Sequence, residues 1–75
     1  MERMNYREPT HNRQLQADFD FSTGKYGTFC IYKMESEGGF RYATKAMPDV
    51  DNLWIAQTNL DEYAKKKGLK KASWI

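Results

Sequence analysis

Outside the hydroxyls, the nucleophile and the imidazole from which a catalytic pair is built are each present once in the 75-residue sequence, as Cys30 and His11. Such a pair also needs an orienting third group and oxyanion donors. Cys30 lies within Thr28-Phe29-Cys30-Ile31-Tyr32, a run of β-formers in which a free cysteine packs as a small apolar side chain. His11 sits in a polar stretch far from it in sequence. A structural zinc site takes four Cys or His ligands, more than the chain supplies. Asp49-x-Asp51-Asn52 opens like a calcium loop, but the glycine of the sharp turn is missing and Leu60 stands where the twelfth-position Glu belongs. Asp18 and Asp20 share one strand face, as the polar side of an amphipathic strand rather than as an acid and base pair. Ser22-Thr23-Gly24-Lys25 has the letters of a phosphate loop in the wrong order. These residues predict no enzyme, no metal, no cofactor and no small-molecule substrate.

The charges are more informative. Twelve Lys and Arg against ten Asp and Glu leave a net charge of +2, but the distribution is bipolar. Residues 45–64 hold Lys45 against Asp49, Asp51, Asp61 and Glu62, whereas 65–75 hold Lys65, Lys66, Lys67, Lys70 and Lys71 and no acid. Lysines at a helix C-terminus complement the macrodipole. They also suit phosphate contacts, and Arg41 and Lys45 would extend such a patch.

The elements that must position these groups read as follows. Residues 1–14 are polar and aperiodic, with Met1, Met4 and Tyr6 their only large apolar groups, and are expected to form a flexible arm. Leu15, Ala17, Phe19 and Phe21 alternate with Gln14, Gln16, Asp18 and Asp20, the period of a half-buried strand. Residues 22–27 supply two glycines for a hairpin loop. Residues 28–35 place Phe29 and Ile31 on one side and Cys30, Tyr32 and Met34 on the other, as in a central strand covered on both faces. Gly38-Gly39 marks a second turn, and residues 40–46 resume alternation with Phe40, Tyr42 and Ala46 inward. Pro48 and its Asp and Asn neighbours break the pattern. Leu53-Trp54-Ile55-Ala56-Gln57 is expected to be a short fourth strand. A helix of about two and a half turns is expected to start at a Thr58 or Asn59 cap, with Asp61 or Glu62 at the matching position, and to stop at Gly68 with Leu69 after it in a Schellman motif. Lys70 to Ile75 either returns as a short final strand or packs as a tail.

The expected fold is therefore α+β: a flexible arm at 1–14, then a single domain at 15–75 with an antiparallel meander of three to four strands and one short C-terminal helix on one face. A chain this short has one core to build. In element order, Gly27 to Gly68 resembles the arm-binding domains of phage integrases and a class of plant DNA-binding domains, with Leu53-Trp54-Ile55-Ala56 before Thr58 the nearest local echo. That resemblance implies a sheet laid in the major groove. The sequence departs from it on the first strand, where Gln14, Gln16, Asp18 and Asp20 stand instead of arginines.

Acid on that face and a small net charge favour a protein partner over nucleic acid. Four Phe, five Tyr and two Trp exceed what one short helix shields, and such side chains dominate binding hot spots. Tyr26, Tyr32, Trp54 and Trp74 are the candidate protein-binding residues, with Tyr26 and Trp74 the most exposed. The expected function is a small non-enzymatic inhibitor or adaptor, of the kind bacteriophages use to block host proteins. The second reading is a nucleic-acid module using Arg41, Lys45, Lys65, Lys66, Lys67, Lys70 and Lys71; the third is a structural subunit docking through its arm. No apolar run approaches the roughly 20 residues of a bilayer span, the N-terminal stretch has no apolar signal core, and Cys30 has no disulfide partner. A cytoplasmic setting without membrane contact is expected.

Overall fold

A computed structural model describes residues 3–8, 13–32 and 40–71. Five strands, β1 (Tyr6–Glu8), β2 (Arg13–Asp20), β3 (Lys25–Tyr32), β4 (Phe40–Ala43) and β5 (Lys70–Lys71), form one sheet in the order β4-β3-β2-β1-β5, and α1 (Leu53–Lys67) enters the chain between β4 and β5. Every pairing is antiparallel. The first four strands are a meander, and β5 returns to close the free edge of β1. The fold is α+β, as the sequence indicates.

Register and alternation sort the side chains onto two faces. Tyr6 pairs with Leu15, Leu15 with Cys30 and Cys30 with Tyr42, and this face carries the core. Tyr6, Leu15, Ala17 and Cys30 pack there against Met47 and the helix residues Ala56, Leu60 and Ala64. Ala56, Leu60 and Ala64 recur every fourth residue, so the two alanines let the helix lie close to β2 and β3 while Leu60 fills the gap. Fully burying a side chain like Leu60 stabilises by about 1.5–3 kcal/mol. The other face carries Arg7, Gln14, Ile31 and Arg41 in one cross-strand row, with Gln16 and Phe29 in the next. Residues 28–30 of β3 are buried on both faces, as expected of a central strand.

Three expectations need correction. Residues 6–8 of the expected arm are instead a strand between β2 and β5, with Tyr6 only 8% exposed. Burial of that ring and a hydrogen bond from its hydroxyl to Asp61 Oδ1 (2.7 Å) fix the segment, neither of which a local pattern reveals. The expected strand at 53–57 is the first part of the helix. Asn52, in extended conformation, caps it by accepting hydrogen bonds from the Trp54 and Ile55 amides at Oδ1 (2.7 and 3.4 Å). The helix thus has 15 residues, and Thr58 lies inside it, its hydroxyl donating to the Trp54 carbonyl. Finally, the β2–β3 loop is shorter than expected, so Lys25, Tyr26 and Gly27 belong to β3. Gly27 leaves room for the Asp49 carboxylate, which would have to swing aside for a Cβ at this position.

The helix stop agrees with the sequence reading. Gly68 adopts φ 69°, and the Leu69 amide donates to the Ala64 carbonyl at 2.9 Å, as in a Schellman motif. Among the described residues no helix is long and apolar enough to cross a membrane. The second expected turn (36–39), Met34, His11 and Trp74 lie outside the described residues.

Candidate protein interaction site

One end of the domain joins the β2–β3 hairpin to the entry of α1. At the hairpin, the Asp20 carbonyl accepts from the Thr23 and Gly24 amides (3.3 and 2.8 Å), and the Asp20 carboxylate accepts from the Ser22 amide and hydroxyl. The Ser22 hydroxyl bond leads the effects that hold the Asp20 carboxyl below its ordinary pKa. Gly24, at φ 72°, completes the turn. The strand therefore ends at Asp20 and Phe21 leaves the buried alternation. It is 90% exposed rather than inward-facing, resting edge-on against Phe19 (ring centroids 5.0 Å), which in turn meets Tyr26 at 5.2 Å.

Tyr26 anchors the helix entry to the hairpin. Its amide and carbonyl exchange 2.7 Å hydrogen bonds with Val50, two residues before the Asn52 cap, and Lys25 Nζ lies 3.9 Å from Asp51 Oδ1. Immediately beyond the cap, Leu53, Ala56, Gln57 and Leu60 turn toward the sheet, so the 100° step between residues sends Trp54 and Ile55 outward. They are 42% and 52% exposed. Phe21, Trp54 and Ile55 are thus three large apolar side chains at one end, on a backbone tied down by a cap, a bridge and a tight turn.

The expected aromatic set divides. Trp54 is exposed on the first turn of the helix. Tyr26 is half-buried as the floor of the hairpin end, not a protruding ring. Tyr32 is half-buried at the opposite end of β3, where its ring meets Tyr42 at 5.9 Å and its hydroxyl faces Arg13 Nη1 at 3.3 Å. Arg13 also donates to the Tyr42 hydroxyl at 2.7 Å and pairs with Glu8. The Glu8 hydrogen bond is the main reason the Arg13 guanidinium is held protonated even more firmly than usual. The hydroxyl contact with Tyr32, then burial and the Cys30 thiol, push Tyr42 up to about 12. This cluster ties β1 to β4; the Cys30 thiol beside it is 1% exposed, closed to a substrate. Phe21 and Ile55 were missed by sequence reasoning: the first because alternation ran one residue past the strand, the second because its β-branched type suggested a strand.

The basic residues divide as well. Arg41 stacks over Phe29 (4.0 Å to the ring centroid) and reaches Asp18 Oδ2 at 3.3 Å, and Asp18 also receives Arg3 at 3.8 Å. Asp18 is thus a structural counter-charge. Arg41 is on β4 and Lys70 and Lys71 are on β5, the two edges of the sheet. Four strand spacings of about 4.8 Å separate them by roughly 19 Å. Lys45, exposed just beyond β4, belongs to the Arg41 side. The expected single patch is therefore two, and only Lys65, Lys66, Lys67, Lys70 and Lys71 converge, all exposed, where the end of α1 meets β5.

Among the described residues no group of three or more His, Cys, Asp or Glu side chains is placed to hold a metal ion. No protein-family model, no curated protein and no solved structure matches the chain.

Proposed function

We propose that the protein is a small protein-binding module that docks through the end bearing Phe21, Trp54 and Ile55. The observation that carries this reading is the exposure of these three large apolar side chains on one firmly built end of a small domain. Burying side chains of this kind contributes about 1.5–3 kcal/mol each, and aromatic anchors surrounded by polar residues are the usual centre of a protein interface. Rigid presentation limits the ordering cost on binding. An inhibitor or adaptor role needs no chemistry beyond this. A subunit threading a free arm into its neighbours is less favoured, because Tyr6–Glu8 already fill the sheet between β2 and β5.

The test is affinity capture from a host extract with the native chain and with Trp54→Ser/Ile55→Ser and Phe21→Ser variants, each first shown to be folded by circular dichroism. A partner retained by the native chain and lost from the variants supports the proposal. A partner retained equally by all three refutes it, and light scattering at micromolar concentration shows whether the partner is a second copy.

A further inference from the structure

We propose that the corner where the end of α1 meets β5 is a second, separate site, binding the phosphate backbone of duplex nucleic acid without sequence preference through Lys65, Lys66, Lys67, Lys70 and Lys71. The Gly68 turn reverses the chain so that the three helical lysines and the two strand lysines share one corner. Arg7 stands directly across from Lys70 in the register. All five lysines are exposed, and among the described residues no carboxylate lies within ion-pair distance of any of them.

Helix capping does not account for so many charges. The Ala64 and Lys65 carbonyls already accept from the Leu69 and Gly68 amides, and the macrodipole leaves only about half a negative charge at a helix end. Five clustered cations repel one another; Glu62, exposed one turn before Lys65 and Lys66, is the nearest free helix acid, a single charge against five and within ion-pair distance of none of them. Asp61, the helix acid that faces inward, is occupied by Tyr6 and Gln57. A polyanion supplies the missing counter-charge.

The surroundings select which polyanion. Membrane docking combines basic residues with exposed apolar anchors, but among the described residues Tyr63 and Leu69 at this corner pack against the core, Phe21, Trp54 and Ile55 are exposed at the opposite end, and Tyr42 lies on the far edge strand. Single strands are held by aromatic stacking platforms, and Tyr63 is half-buried with Lys67 Nζ near its ring (6.0 Å to the centroid). Lysines fanned around a helix end, with Lys70 and Lys71 on opposite faces of a strand, suit closely spaced phosphates rather than base edges. Duplex nucleic acid presents about one charge per 1.7 Å of axis.

The experiment is fluorescence-anisotropy titration of a labelled 20-base-pair duplex from about 50 to 200 mM salt. Contact with three to four phosphates gives a log–log slope of about −3 to −4, a loss of roughly a hundredfold across that range. Lys66→Gln/Lys70→Gln lowers the slope by about 2, and Lys66→Glu/Lys70→Glu weakens binding at least tenfold with an unchanged circular dichroism spectrum. Lys25→Glu/Lys45→Glu, the same charge change away from this corner, leaves duplex binding within threefold. No duplex binding at 50 mM salt overturns the proposal. So does equal loss in both Glu variants, which makes the effect one of net charge. Tighter binding of polyglutamate or of anionic phospholipid vesicles than of duplex assigns the corner to an acidic protein or a membrane instead. Trp54→Ser/Ile55→Ser binds duplex like the native chain, so this site stands or falls independently of the apolar one.

Discussion

Replacing Gln14 by Met is expected to stabilise the protein, although Gln14 is completely buried. The side chain lies on the sheet face away from the helix, between Arg7 and Ile31 in its cross-strand row, with none of its surface exposed. Neither its amide nitrogen nor its oxygen has a hydrogen-bond partner. An unmet buried polar group costs about 1–3 kcal/mol, whereas an apolar side chain of similar shape carries no such penalty. Methionine matches glutamine in length and flexibility, so packing changes little. The expected gain is about 1–3 kcal/mol, or at least 4 °C in melting temperature for a domain of this size. Gln57 provides the opposite control. It is equally buried, but its Nε2 donates to the Met4 carbonyl at 3.0 Å and to Asp61 Oδ1 at 2.9 Å. Gln57→Met strands the Met4 carbonyl and is expected to destabilise by about 1–3 kcal/mol. Urea denaturation with a common m-value measures both. A Gln14→Met variant less stable than the native chain by 1 kcal/mol or more would refute the reasoning, since it would mean that the amide is hydrogen-bonded in solution.

Two further stability effects are expected. Asn52→Ala removes the side-chain acceptor for the Trp54 and Ile55 amides and costs about 1 kcal/mol, read as a lower urea midpoint. An unchanged midpoint would mean that Asn52 does not hold the helix start. Burial, then the hydrogen bond and charge of Asp61, push the Tyr6 hydroxyl up to about 12. The folded state therefore keeps this proton where the unfolded chain, ionising near 10, has lost it. The contribution is complete below pH 10 and is lost as the pH rises from about 10 to 12. Melting curves across that range are expected to fall more steeply for the native chain than for Tyr6→Phe; parallel curves would exclude the linkage.

The sequence alone determined what depends on nearest neighbours. Alternation from Leu15 to Phe19 specified β2, the glycine before Leu69 specified the Schellman stop, and the spacing of Leu60 and Ala64 specified the helix face, because these patterns follow from the backbone period. The bipolar charge was legible for the same reason. Tertiary structure decided the rest. Tyr6 pairs with Leu15 nearby, but its place is held by Lys71 across the edge and by Asp61 on the helix, both more than fifty residues away in sequence, so its segment had little local signature. Trp54 and Ile55 have strand-forming side chains in a helix, because the Asn52 cap and the burial of Ala56, Gln57 and Leu60 outweigh their propensity. Their exposure, on which the protein-binding proposal rests, follows from that outcome. Likewise, Arg41 is equivalent to the lysines as a charge in the sequence, and only strand order sets it on the opposite edge, against Asp18.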